Sequence, residues 1–372
     1  MKFLVISHVE HKKVENRYCG YAPYIREMNL WLKHIDEVTI VAPFQRGDST
    51  AIDIFYEYKK INFKQVPSFN FISLKNCLLS LFKMPVVLLK IFLAMRNTDH
   101  IHLRCPGNVG LIGCFVQILF PYKPKTAKYA GNWDPKSRQP WSYRLQKWIL
   151  NNTFLTRNMQ VLVYGEWEGS SKNIKPFFTA TYSEQDKIPM KKMEFNEKIH
   201  FVFVGTLSSG KNPLYAIQLV EALFRKGYDV TLELYGEGIE RKALEDYIVL
   251  NGLEEIIIVN GNQNQETVKK AYQKNHFVIL PSKSEGWPKA IAEGMFWGCV
   301  SIATKVSCVP FMLDYGKRGI LLAMNIEKDV NQIVEILNDE NSFFAKSKLA
   351  IDWSQQYTTD VFEIEIKKLL AK

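Results

Sequence analysis

The sequence predicts an α/β protein of two tandem doubly wound (Rossmann-like) domains, each a parallel sheet covered by helices on both faces. Strand and helix signals alternate through both halves of the chain, the pattern of βαβ crossovers. The 372 residues are enough for two ordinary domains, at roughly 100–200 residues each. Between the halves, from Ser170 to Glu197, the pattern fades into a polar, Lys-rich stretch with Pro176 and Pro189, which reads as the linker. The apolar share of 47% and charged share of 23% are globular values.

In the first half, residues 1–6 begin like a signal peptide, but His8, Glu10 and His11-Lys12-Lys13 end the apolar run too soon. Phe3–Ile6 is better read as the first strand. A helix over Tyr24–Lys33 and a strand over Val38–Ala42 follow, then strands at His100–Leu103 and Lys128–Ala130, a helix at Trp141–Asn151 and a strand at Gln160–Val163. The segment Ser73–Arg96 is apolar, with Lys75, Lys83 and Lys90 recurring at helical spacing on one side. Charge and Pro85 interrupt it too often for a membrane span. It reads either as an interfacial membrane contact or as a buried helix.

The second half restarts with the continuous apolar run His200–Val204, then a helix from Pro213 to Arg225, proline being well tolerated in a first helical turn. Strands at Thr231–Tyr235, Ile256–Val259 and His276–Leu280 alternate with helices at Ile239–Leu250 and Glu266–Gln273. Pro281–Pro288 carries turn chemistry, a helix over Lys289–Trp297 follows, and Gly298–Thr304 reads as a further strand. Trp353–Leu370 reads as one terminal helix. The domains are therefore expected at residues 1–185 and 186–352, with 353–372 as a closing helix.

The net charge of +10 is uneven. Residues 1–175 hold 25 Lys and Arg against 12 Asp and Glu, a net of +13, and residues 176–372 hold 23 against 26, a net of −3. Such a field suits an anionic membrane surface or a phosphorylated acceptor. No zinc-ligand spacing, aromatic RNA-binding pattern or recognition helix accompanies it, so nucleic acid is the weakest reading. Six cysteines without a Cys-x-x-Cys pair read as reduced core residues of a cytoplasmic protein.

The most informative stretch is Pro281–Gly294, which sets Glu285 and Glu293 eight positions apart across a loop-to-helix junction. Glu285 is expected just beyond a strand's carboxyl end, where open α/β sheets bind ligands, and Glu293 roughly two helical turns later. Carboxylates accept charge-assisted hydrogen bonds from hydroxyls, and a vicinal diol offers two donors at once. Upstream, Gly205-Thr206-Leu207-Ser208-Ser209-Gly210-Lys211 joins a strand end to a helix start. Free N–H groups, the helix dipole and Lys211 make it a natural anion site, the plainer alternative being a turn with a solvated lysine.

With these residues the chain resembles glycosyltransferase family 4, retaining enzymes of the GT-B fold with a Glu-x7-Glu signature at this junction. The resemblance is close over residues 200–325 and loose in the first half. It implies that Glu285 contacts hydroxyls of the donor sugar, with Gly286 and Trp287 in the same loop, and that Glu293 binds the ribose of the nucleotide. It implies that Lys211, with Gly205, Thr206 and Ser209, lies by the donor diphosphate. The family often has an arginine where this chain has Thr206, and Ser208, Ser209 or an arginine from the other domain is the expected compensation. Gly236, in Tyr235-Gly236-Glu237-Gly238, resembles a turn near the nucleotide, though tight turning explains it equally. Asn262 is placed near the base.

In the first half, Arg17–Tyr21 with Gly20 resembles the loop folded over the phosphates, or is an ordinary loop. His102-Leu103-Arg104 resembles the segment of the family's active-site histidine, with either His102 or Arg104 at that position. Asn132 or Asp134 is placed to receive an acceptor hydroxyl. The resemblance further implies a terminal helix crossing back to the first domain and no metal or resident cofactor. The expected activity is transfer from a nucleotide-diphosphate sugar to a saccharide or lipid-linked acceptor, in the cytoplasm or at the inner face of the membrane. The alternatives are a GT-B nucleotide-sugar epimerase and a non-catalytic nucleotide-sugar-binding partner.

Overall fold

The computed structural model of the protein describes residues 1–67, 74–189 and 198–371, and only the backbone over 74–83. Met1–Thr179 with Val361–Lys372 form one compact unit, and Ala180–Asp360 the other.

In the first unit the strands are β1 (Lys2–Ile6), β2 (His11–Val14), β3 (Arg17–Tyr21), β4 (Glu37–Pro43), β5 (Asp53–Phe55), β6 (Ile61–Val66), β7 (His100–Cys105), β8 (Lys125–Tyr129), β9 (Met159–Tyr164) and β10 (Ile174–Phe177). Its helices are α1 (Ala22–Leu32), α2 (Leu74–Arg96), α3 (Asn108–Val116) and α4 (Trp141–Leu150). Seven strands form one parallel sheet in the order β10-β9-β8-β7-β1-β4-β6. Phe3–Ile6, on the interior strand β1, is fully buried, as a strand covered on both faces must be.

The segment Arg17–Tyr21, expected as a loop, is instead strand β3 of a small antiparallel sheet with β2 and β5. Cross-strand pairs hold it without an apolar run. Lys12 meets Asp53 at 2.8 Å, and the Arg17 guanidinium lies 4.7 Å from the Phe55 ring. The segment Ser73–Arg96 contains the single helix α2, with Pro85 inside it. Lys75 and Lys83 lie outside the residues whose side chains are described. Over the rest, Val87, Ile91, Ala94 and Met95 are buried while Val86, Leu89 and Leu93 are exposed.

The second unit has β11 (Ile199–Val204), β12 (Val230–Tyr235), β13 (Ile257–Gly261), β14 (Phe277–Leu280), β15 (Val300–Thr304) and β16 (Gly319–Leu322). They form a parallel sheet in the order β13-β12-β11-β14-β15-β16. The helices are α5 (Pro213–Arg225), α6 (Arg241–Leu250), α7 (Gln265–Lys274), α8 (Lys289–Phe296), α9 (Val309–Met312), α10 (Ile326–Leu337), α11 (Glu340–Ser354) and α12 (Thr359–Leu370). The single terminal helix expected over Trp353–Leu370 is broken between α11 and α12. The Thr359 N–H donates to the Tyr182 carbonyl at 2.8 Å, so the chain leaves one helix and starts another.

From Val361 onward α12 belongs to the first unit. Phe362 packs on Phe177 and Phe178, with ring centroids 5.2 and 5.6 Å away. Within this cluster the buried Lys128 ammonium donates to the Phe178 carbonyl at 2.6 Å and lies 4.4 Å from the Phe177 ring. Rings on several sides and a carbonyl replace part of the water that the ammonium loses. At the other face of α12, Glu363 meets Lys33 and His34, each at 3.1 Å. Phe362→Ala should therefore destabilise the first unit by about 3–5 kcal/mol, read as a shift of the urea midpoint. A loss below about 1 kcal/mol, the scale of a surface change, would remove α12 from that core.

Candidate functional site

In the second unit the loops that follow β11, β12 and β14 meet at the carboxyl edge of the sheet. The Gly205 N–H donates to the Tyr235 carbonyl and the Leu207 N–H to the Glu237 carbonyl, both at 2.9 Å. This apposition leaves no room for side chains. A Cβ on Gly236, whose φ is +149°, would stand 1.9 Å from the Gly205 carbonyl oxygen, and one on Gly238 would stand 2.1 Å from that of Leu207. The Lys283 N–H donates to the Gly210 carbonyl at 2.9 Å, which joins the β14 loop to the same group.

The sequence-predicted residues Lys211 and Glu285 are brought together, with Nζ 2.6 Å from Oε1. Glu285 is buried and Lys211 is part-exposed, so the cation compensates a carboxylate held away from bulk water. Pro288 precedes α8 and makes no side-chain cap, and its carbonyl accepts from the Ile291 and Ala292 N–H groups at 3.0 and 3.2 Å, while the dipole of that helix favours an anion at this end. Glu293, on α8, is held by hydroxyls rather than by a cation. Thr181 donates to it at 2.6 Å and Tyr272 at 3.3 Å. Neither partner was legible beforehand, because they lie 112 and 21 positions away.

The other predicted residues are distributed unevenly. Thr206 and Ser209 lie in the β11 loop and are exposed, as is Asn262 beyond β13. Trp287 is buried, stacked on Trp353 at 6.0 Å and edge-on to Tyr357 at 5.5 Å. The Gly286 carbonyl accepts from the Cys308 thiol at 3.0 Å. A second cation at this edge, Arg241, pairs with Glu237 and Glu245.

The first unit presents its own carboxyl edge. His102 lies deeper in β7, fully buried against Trp31, with ring centroids 4.6 Å apart, and its Nδ1 lies 2.9 Å from the Thr126 hydroxyl. Burial, then the nearby Arg104 charge, push its pKa well below the ordinary histidine value. Arg104 lies two residues nearer the strand end, donates to Glu27 at 2.7 Å and lies 5.5 Å from the Tyr24 ring. Burial opposes its charge, but Glu27 outweighs it and raises the pKa.

Next to Arg104 stands His8, not singled out as a site residue from the sequence although it lies two residues past the end of the first strand, where α/β ligands bind. Its ring packs on Gly107, whose Cβ would stand 2.6 Å from it. Crowding by the protein and then the Arg104 charge push its pKa down to about 4. The ring is thus neutral near pH 7, although part of it stays exposed. Beyond β8, Asn132 accepts from the Asp134 N–H at 2.9 Å and Asp134 from the Lys136 N–H at 2.8 Å. Both side chains therefore shape their own loop. Gly20 sits in β3, where a Cβ would stand 3.0 Å from the Glu10 carbonyl oxygen. Among the described residues, no group of three His, Cys, Asp or Glu is placed to hold a metal.

Residues 184–355 match the family Glycosyl transferases group 1. The chain is 26% identical over 152 residues to an uncharacterized glycosyltransferase of Methanocaldococcus jannaschii, covering 41% of this chain and 42% of that protein. It is 22% identical over 316 residues to Protein CapJ of Staphylococcus aureus, covering 82% and 78%. Among solved structures it is similar to HepE of Anabaena in complex with UDP and glucose, with TM-score 0.72, 15% identity and 100% and 99% coverage. The sucrose-phosphate synthase of Thermosynechococcus elongatus gives TM-score 0.70, 15% identity and 100% and 98% coverage. These likenesses show the fold, two Rossmann-like α/β halves of the GT-B type.

The backbone apposition at the second unit's edge gives a direct check. Gly236→Ala must drive the β11 and β12 loops apart, and should cost about 1–3 kcal/mol in strain and overpacking. Urea unfolding of the variant reads this loss, and an unchanged midpoint would mean that the loops do not meet as described.

Proposed function

We propose that this chain, which carries a glycosyl transferases group 1 domain over residues 184–355, is a retaining glycosyltransferase of family 4. It moves a sugar from a nucleoside diphosphate sugar to a saccharide or lipid-linked saccharide in surface polysaccharide or glycoconjugate synthesis. The observation that carries this reading is the Lys211–Glu285 pair at 2.6 Å, set at a strand-end loop and followed by the Glu293 helix. Breaking the anomeric C–O bond makes an oxocarbenium-like centre and a departing diphosphate, whose charge must be stabilised. Lys211 and the dipole at the start of α8 supply that stabilisation in this proposal. Glu285 takes donor-sugar hydroxyls, and Glu293 exchanges its Thr181 and Tyr272 hydroxyls for those of a ribose.

Retention without a nucleophile places the acceptor oxygen on the face that the diphosphate leaves. The new bond forms from the acceptor oxygen to the anomeric carbon, and the acceptor's proton passes to the departing phosphate oxygen. The relatives Protein CapJ and a Klebsiella pneumoniae protein in a cps region agree with a surface-polysaccharide role. Uridine donors come first for trial, given the UDP complexes of HepE.

Incubation with UDP- and GDP-sugars and saccharide acceptors should give a glycoside with the anomeric configuration of the donor. An epimerised nucleotide sugar formed without acceptor would make the chain an epimerase, and binding without turnover a silent partner. Glu293→Ala should weaken nucleotide binding by about 1.5–3 kcal/mol, the loss of a charged hydrogen bond. Lys211→Ala should weaken the nucleoside diphosphate far more than the nucleoside in calorimetry, and equal losses would take Lys211 out of the phosphate site.

We also propose peripheral attachment to anionic membrane through the first unit. Among the described residues no helix is long and apolar enough to cross a membrane. Val86, Leu89 and Leu93 are exposed on α2, and they recur at the spacing of one helical face. The net +13 of residues 1–175 complements anionic lipid, an attraction that decays over a Debye length of about 8–10 Å. The protein should float with phosphatidylglycerol vesicles at low salt and release as salt rises. Leu89→Glu with Leu93→Glu should abolish flotation, and a wild type that ignores such vesicles at low salt would end this reading.

A further inference from the structure

The first unit carries a pocket of about 490 Å³ between α4 and the loops that follow β8 and β9. Nothing in the transfer chemistry above uses it. Its floor is Trp133, only 4% exposed and edge-on to Tyr129 at 4.9 Å. Its wall is Trp148, 61% exposed, an indole offered to solvent at the rim of a concave site. An indole at a concave site combines an apolar face with a polar N–H, the form in which tryptophan meets a ligand that is part apolar and part wet.

The polar groups are already oriented. Asn151 uses its Oδ1 to accept from the Ser171 N–H at 3.0 Å and hydroxyl at 2.9 Å. Asn152 uses its Oδ1 to accept from the N–H groups of Phe154 at 3.0 Å and Leu155 at 3.1 Å. With both oxygens committed, each carboxamide is fixed in orientation and its NH2 is left as a donor. Glu168 completes the lining as an acceptor with no ion-pair partner among the described residues. Lys147 is spent within the wall, donating to the Asp134 carbonyl at 3.0 Å over the Trp133 ring.

An open indole face, two preset N–H donors and a carboxylate acceptor match one ligand chemistry. A pyranose has an axial C–H face that lies on an aromatic ring and rim hydroxyls that both donate and accept. A nucleotide fits worse, since Glu168 repels phosphate and Lys147 is already engaged. Fixed side chains also lower the ordering cost of binding a weak ligand. We propose that the Trp148 pocket is a saccharide-binding subsite, which holds a sugar unit of the acceptor chain away from the point of transfer. Trp133 and Pro135 of the pocket belong to the same loop as Asn132 and Asp134, so a chain seated there runs along the loop that the sequence is expected to place by the acceptor. The choice of an acceptor chain as occupant rests on the transferase reading, but the pocket's affinity for sugar does not.

The test uses the full chain with maltotriose, cellotriose and triacetylchitotriose. At least one should quench tryptophan fluorescence and show saturation-transfer NMR signals, with a Kd on the order of 1 mM, as expected for a small open site. Trp148→Ala should remove the quench and weaken binding at least about tenfold, a loss of about 1.4 kcal/mol, and Glu168→Gln should weaken it in the same direction. UDP binding and the urea unfolding midpoint should be unchanged in both variants, the midpoint reporting that the first unit is folded. Signals that persist in Trp148→Ala, or no signal from any of the three sugars, would overturn the subsite. A protein that binds a trisaccharide through Trp148 yet turns over no nucleotide sugar would overturn the transferase reading alone.

Discussion

The second unit depends on one constraint: a carboxylate buried at the end of a parallel sheet must be compensated where it stands. Glu285 is buried, and Lys211 reaches it at 2.6 Å. Removing one partner of such a pair leaves a charge stranded in a poor solvent, which costs more than the intact pair contributes. The pair therefore fixes the β14 loop to the β11 loop, and the close backbone contacts at Gly236 and Gly238 fix the β11 loop to the β12 loop. Three strand ends are locked into one surface before any ligand arrives. An ammonium has three donors, so holding Glu285 leaves Lys211 with donors for the phosphate oxygens of the proposed donor.

The two carboxylates of the Glu-x7-Glu pattern are consequently unlike groups. Glu285 has a cation and Glu293 has the neutral hydroxyls of Thr181 and Tyr272. A hydroxyl is a weaker partner than an ammonium and is readily replaced by another hydroxyl. This difference suits Glu293 to exchange partners with a diol and Glu285 to stay put as part of the framework. Spacing in the sequence shows neither property, since both follow from what stands opposite each carboxylate.

Much of the second unit was legible because its strands are continuous apolar runs, such as Phe201-Val202-Phe203 and Phe277-Val278-Ile279-Leu280, rich in the β-branched and aromatic residues of a sheet covered on both faces and bounded by turn residues. The first unit was less so. Strands β2, β3 and β5 are short and polar and gain from cross-strand contacts such as Lys12 with Asp53, which have no local signature. Helix α3 is a short apolar run with two glycines, and periodicity does not separate that from a strand. At the candidate site, loop chemistry singled out Glu285 and Lys211, and the spacing from Glu285 singled out Glu293. Thr181, Tyr272 and Glu27 were not, because each acts only through a partner brought close by folding. His102 and Arg104 were indistinguishable in sequence, since residues two apart on a strand share a face. What separates them is depth: His102 lies within the packed sheet and Arg104 lies closer to its open end.

The same reasoning limits what the charge of the first unit means. Several of its cations are not on the surface. Arg104 is neutralised by Glu27, Lys128 is enclosed by aromatic rings and a carbonyl, and Lys125 is buried with the Phe120 carbonyl 2.8 Å from its ammonium. Burial lowers the Lys125 pKa to about 8, so it is still mostly charged near pH 7 but is anchored inside the fold. Interior charges add to the long-range field without offering contact to a phosphate. The attraction that brings an anionic surface near thus comes from the whole unit, whereas the contact that holds it must come from side chains that project outward. For α2 those are apolar as much as basic, which makes seating in a lipid interface a matter of burying Val86, Leu89 and Leu93 and not of charge alone.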